Sequence, residues 1–336
     1  MRFPLLDQPP DGLLDVHTHA IAPRLPDLTS YAGRWPTVEQ VSPDRARILL
    51  DGVPYREVDE RCWSPRRRLR DMDVAGVAAQ VVSPMPVTLC HDQPAPGAVV
   101  LAAGQNAFLA ELVAAAPDRL FALGAVPLQD VDAAVAELRR CVHELGFLGV
   151  EIGTRVGEFE LADPRLDPFF DAAAELGALV LVHPVDLTLE PRLAALGIGF
   201  GFGMPTETAL AAAGLLTGPQ RRPGVRLCLA HGGGALPALL PRLDRGMVLA
   251  GRGSERSPGS RARDLWCESL TYDPDSLALA VTRFGAEHVV LGTDYPFAAR
   301  EDPPGAVLEG VDPVLRAAIA RTNALPLLDR VRHADA

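Results

Sequence analysis

At 336 residues, 48% hydrophobic and with a net charge of −11, the chain matches one large α/β barrel or two average domains and has ample apolar material for a core. The acidic balance argues against a nucleic-acid partner, and the one basic run, at 66–70, reads as a solvated helix start. With no secretory leader, no apolar run of 18 residues and five scattered cysteines that form no C-x-x-C pair, the expectation is a cytoplasmic protein with reduced thiols and no membrane span. Every one of the 32 Lys-plus-Arg positions is arginine. That excludes a Schiff-base lysine, a P-loop lysine and a lysine carbamate bridging two metal ions.

In chain order, the first strand-like run is LLDVH at 13–17, and it leads into His17-Thr18-His19. Side chains i and i+2 of a strand share a face, so two imidazoles stand together at its end. Roughly 60 residues precede the next strand, far more than an ordinary connection. Within them ARILLDGVPYREVD reads as a hairpin about a type I′ turn at Asp51-Gly52. A small β-rich insertion at about residues 20–65 is therefore expected over the barrel's mouth.

Further strand-like runs follow at 77–84, 120–127, 148–154, 178–184, 225–233, 264–272 and 288–296. Most are continuously apolar, as parallel strands buried on both faces are. Amphipathic helical stretches separate them, such as 105–120 and 132–146, the latter closed by Gly146, and helices at about 312–329 complete the count. Eight strand–helix units predict a (β/α)8 TIM barrel, with 1–336 as a single domain.

Barrel enzymes place their chemistry at the C-terminal ends of the strands. His17 and His19 end strand 1, His183 ends strand 5, His231 ends strand 6 and Asp294 ends strand 8. A stabilising core has no need of this arrangement. Three imidazoles and a carboxylate suit zinc and leave a position for water. The remaining histidines read as ordinary: His143 within a helix, His288 before strand 8, His333 in the tail and His91 at the surface or a pocket rim.

Several segments, in this order, resemble the decarboxylase branch of the amidohydrolase superfamily: PYREVDERCW, RDMDVAGVAAQVVSPMPV, GVEIGT, VHPVD, GMPTET, AHGGGALP and LGTDYPF. The resemblance runs from about residue 12 to 325. It implies one zinc ion per chain (with another divalent metal as the alternative) on His17, His19, His183 and Asp294, and His231 as the catalytic acid/base working beside Asp294. It further implies that Arg56 binds the substrate carboxylate, that Phe297 is a pocket aromatic, and that Arg242 reaches the site of the other subunit in a homodimer. Arginine forks fix a carboxylate's orientation as well as its charge. The reaction implied is non-oxidative decarboxylation of an amino-carboxymuconate semialdehyde or a related unsaturated or aromatic carboxylic acid. A hydrolase or hydratase acting on a lactone, imine or C=C bond is the alternative. Two tryptophans of the family are absent, at Val185 and near Gly197, which alters the pocket's shape and leaves the metal ligands untouched.

Overall fold

Eight parallel strands form a ring, in a computed structural model that describes residues 11–186, 190–218, 224–253 and 256–328. In chain order the strands are β1 (Leu13–Ala20), β2 (Pro36–Ser42), β3 (Arg45–Leu50), β4 (Val53–Asp59), β5 (Val77–Pro84), β6 (Leu120–Gly124) and β7 (Gly149–Ile152). A two-stranded ribbon, β8 (Arg155–Val156) and β9 (Phe159–Glu160), precedes β10 (Leu179–Val182), β11 (Arg226–Leu229), β12 (Trp266–Glu268) and β13 (Val289–Val290). The ring order is β1-β5-β6-β7-β10-β11-β12-β13. It closes where the Val16 N–H donates to the Leu291 carbonyl at 2.9 Å and the His19 N–H to the Tyr295 carbonyl at 2.7 Å. The helices packed around it include α1 (Pro65–Ala75), α2 (Ala95–Ala114), α3 (Val131–His143), α4 (Asp167–Glu175), α5 (Met204–Thr217), α6 (Leu236–Leu249), α7 (Pro274–Phe284) and α8 (Pro313–Ala320). This is the (β/α)8 barrel that the sequence predicts.

Strand alternation divides the core. Leu179 and Leu181 of β10 face the barrel axis with Leu14, Phe121, Leu123 and Val290, and the turn at Leu325–Leu328 plugs that interior from below. Val180 and Val182 point outward and pack beneath the helices.

The insertion is a three-stranded antiparallel sheet, β2-β3-β4, one strand more than the expected hairpin. Its tight turn has Asp51 at φ 51 and Gly52 at φ 75, both left-handed as a type I′ turn requires. Ile48 of β3 packs with Ile21, Trp35, Cys62, Met85 and Leu101, which seats the sheet beside the C-terminal ends of β1 and β5.

Two expectations need correction. The run at 66–70 does begin a helix: the Ser64 hydroxyl caps α1 by accepting from the Arg67 N–H at 3.2 Å. It is not wholly solvated, however, because Arg68 is fully buried. Its guanidinium donates to the His19 carbonyl at 2.6 Å, to Thr18 at 3.1 Å and to Gln80 at 3.0 Å, tying β1 to β5. The second correction concerns α2, which at 20 residues is long and apolar enough by composition to cross a membrane. Here it belongs to the barrel's outer layer, with Leu109 and Leu112 packed onto the main core.

Candidate active site

A bulge in β1 sets the first two candidate ligands. Asp15 pairs with Gln80 and Thr18 with Val82, so β1 takes three steps where β5 takes two. Leu14 and Val16 therefore fill the barrel interior, and after the bulge His17 and His19 take over at the mouth. There they meet His183, just beyond β10, and Asp294, beyond β13. One potential ligand atom from each of the four lies within 4.8 Å of the others, and all four residues are buried.

Each imidazole is oriented by its far nitrogen. His17 Nδ1 lies 3.1 Å from Glu268 Oε1, His19 Nδ1 donates to the Pro84 carbonyl at 2.9 Å, and His183 Nδ1 donates to the Pro184 carbonyl at 2.7 Å. With those nitrogens engaged, each Nε2 is the atom free to turn a lone pair to a metal ion once deprotonated, the usual outer arrangement of a metal site. His17 Nε2 and His19 Nε2 face each other at 3.0 Å, and Asp294 Oδ1 lies 3.0 Å from His19 Nε2. His183 Nε2 and Asp294 Oδ1 are buried without a hydrogen-bond partner among the described residues. Lone pairs converging in a dry place are costly unless a cation joins them. The donor set fits one divalent ion.

Charge follows the same pattern. Burial alone would lower the His17 pKa, but the hydrogen bond that His17 donates to Glu268 and the charges of Glu268, Asp294 and Glu151 outweigh it and raise it to about 9. His183 is pushed well below its ordinary value by burial and by its histidine neighbours. Burial of the Asp294 carboxylate opposes ionisation, yet its close approach to His19 and the surrounding imidazoles holds its pKa below the ordinary value.

His231 joins the cluster, its ring 4.9 Å from His183 and 5.5 Å from His17. Its backbone N–H donates to Glu268, and burial holds its pKa low. His231 and Asp294 both have positive φ, 58° and 66°. Outside glycine this conformation costs roughly 1–3 kcal/mol and gathers at functional sites.

Above the ligands opens a cavity of about 510 Å³ whose walls include Tyr55, Arg56, Met85, His183, Asp294 and Phe297. The Arg56 guanidinium lies 4.6 Å from the Phe297 ring centroid, and that ring lies 5.1 Å from His19. Arg56 also approaches Asp186 at 3.4 Å, while the Tyr55 hydroxyl donates to Asp186 at 2.6 Å. Arg242 is not brought here: it is exposed on α6, and no hydrogen bond or ion pair engages it among the described residues.

Sequence reasoning missed Glu268 and Glu151, buried at the ends of β12 and β7. Strand-end position alone does not single them out, because nothing local pairs either with the histidines. His91 is buried rather than at the surface, and it lines a small side pocket with Gly153 and Val185. His143 is exposed on α3, His288 packs against Trp266, and His333 lies outside the described residues. All five cysteines are free thiols.

A family model described as amidohydrolase matches residues 14–330. The chain is 34% identical over 307 residues to the 2-amino-3-carboxymuconate-6-semialdehyde decarboxylase of Dictyostelium discoideum, covering 89% of this chain and 85% of that one. It is 32% identical to the gamma-resorcylate decarboxylase of Rhodococcus jostii over 69% of this chain and 78% of the relative. Among solved structures, the apo form of Metarhizium anisopliae IDCase superposes with a TM-score of 0.80 at 23% identity, covering 96% of this chain and 98% of the other. The chain belongs to the amidohydrolase family, and within it to the group of the carboxy-lyases.

Proposed function

We propose that this chain is a non-oxidative decarboxylase of an unsaturated or aromatic carboxylic acid, with one zinc ion on His17, His19, His183 and Asp294. One observation carries the reading: the four convergent ligands open directly onto a cavity whose wall presents Arg56 stacked on Phe297. Three nitrogens and one oxygen are the donor set that favours zinc over a harder ion. A divalent ion held there supplies Lewis acidity, and water beside it ionises near pH 7.

The chain's own residues do the rest. Arg56 offers a planar fork to the substrate carboxylate, and Phe297 keeps the fork in place. Decarboxylation replaces a carbon–carboxylate bond by a carbon–hydrogen bond, so one proton must reach the carbon that loses carbon dioxide. The His231 imidazole, kept neutral by burial, takes a proton from water at a ring nitrogen and delivers it to that carbon, which keeps the electron pair of the broken carbon–carboxylate bond as carbon dioxide leaves. Asp294 supports this by fixing charge at the cluster. Arg242, exposed on α6, serves the neighbouring site of a homodimer.

The first substrate to try is 2-amino-3-carboxymuconate-6-semialdehyde, named in the relatives. Purified, zinc-loaded protein should consume it with equimolar release of carbon dioxide. Consumption without carbon dioxide would point instead to a hydrolase or hydratase.

A further inference from the structure

A second compartment of about 290 Å³ adjoins the first, with Phe200 and Met204 lining both. The two differ in chemistry. His183, Asp294 and Arg56 line the larger, whereas His231 lines the smaller. A proton can pass between His231 and the reacting carbon only if that carbon sits at the junction. With its carboxylate at Arg56, whatever the substrate carries beyond the carbon must then enter the smaller space.

That space is built for something apolar. Met204, Pro237, Leu270 and Leu279 contribute to its wall, and among the described residues no ionisable side chain lines it apart from His231 and the Tyr272 phenol. Its three side-chain hydroxyls already donate elsewhere: Thr271 to the Asp273 carbonyl at 3.1 Å, Tyr272 to the Ala299 carbonyl at 2.6 Å and Ser276 to the Asp273 carboxylate at 2.8 Å. A charged or strongly polar group placed here would find, beyond His231, only side-chain hydroxyls that already donate elsewhere. Gly234 lets two of its walls approach, since a Cβ there would lie 2.3 Å from the Pro205 carbonyl, while Phe200 and Tyr272 stay about half exposed at the opening. At the junction Phe200, in the π-helical turn Gly199–Gly203, faces Tyr272 with ring centroids 6.3 Å apart. Tyr272 itself sits at φ 58, a conformation stored where function needs it.

From this geometry we infer that the smaller compartment is a substrate subsite for an uncharged apolar substituent, with Phe200 as the specificity-determining residue between the two spaces. The preferred substrates are aryl or conjugated acids bearing a short alkyl or aryl group away from the carboxylate. The catalytic part of this statement rests on the decarboxylase reading; the binding part does not.

The test uses zinc-loaded protein and two non-reacting probes, benzoate and 4-propylbenzoate, titrated by calorimetry. Burial of the propyl group should tighten binding by roughly tenfold or more. Ala238→Trp and Leu279→Trp, which fill the compartment from two different walls, should each shrink that preference to below about threefold. Equal affinity for the two probes, failure of both to bind, or a preference that survives both substitutions would overturn the subsite. Absence of carbon dioxide release with an intact propyl preference would overturn only the decarboxylase reading.

Discussion

Glu268 holds His17 from behind, with Oε1 3.1 Å from Nδ1, while the same carboxylate accepts the backbone N–H groups of His231 and Leu270. One buried side chain thus aims a proposed metal ligand and seats the loop of the proposed proton relay. Glu268→Gln keeps the shape and removes the charge. It should weaken metal affinity by about 10–100-fold, as loss of an outer-shell partner does, measured by competition with a chelator. Unchanged affinity would show that the contact serves packing alone.

The same contact makes metal binding depend on pH. A metal ion must displace the proton that the metal-free cluster keeps on His17 up to about pH 9. Affinity should rise with pH toward that value, with a proton released per ion, read by calorimetry in buffers of different ionisation enthalpy. For the metal-free chain the sign is opposite. The His17 pKa is raised above its usual 6.5, so its contribution to stability is complete below about pH 6.5 and is lost as pH rises through about 9. Thermal melts of stripped and loaded protein across that window should diverge.

Ligand and relay should separate cleanly by mutation. His231→Ala should retain the metal and lose turnover by about 10²–10⁴-fold, the range of general acid–base catalysis. His17→Ala should lose the metal itself. Elemental analysis of both variants decides the matter: an empty His231→Ala site would move that residue into the ligand set.

Arg242 has no engagement in its own chain among the described residues, and it sits on the helix that also carries exposed Leu239, Val248 and Leu249. If it completes a neighbouring site, Arg56→Ala and Arg242→Ala chains should each be nearly inactive yet hold metal. Mixing them with subunit exchange places both lesions in one pocket of a mixed dimer and leaves the other whole. With half the dimers mixed and one good site in each, activity should recover to about a quarter of wild type. No recovery despite proven exchange would restrict Arg242 to its own chain.

The ring, the insertion and the convergence of His17, His19, His183 and Asp294 were legible because strand-end position is a property of the local sequence. Glu268 was not. It lies 251 residues from His17, and only closure of the barrel makes them neighbours. Arg68 was hidden for a different reason: in RRRLR nothing local says which arginine turns inward, and the acceptors that receive it sit on β1 and β5. The start of α2 was obscured by Pro96 and Gly97. Gly97 does not break the helix; a Cβ there would meet the Trp35 indole at 2.2 Å, so the residue is small to let the insertion approach. Strand β2 escaped because most of its side chains are exposed or half-buried, which leaves little apolar alternation to read.

The most direct test of the account is to strip the protein of metal and titrate zinc back while recording carbon dioxide release. The account expects no turnover without metal and a linear rise that breaks at one ion per chain, as His17, His19, His183 and Asp294 form one site. Turnover in the stripped protein, or a break at two ions per chain, would contradict it.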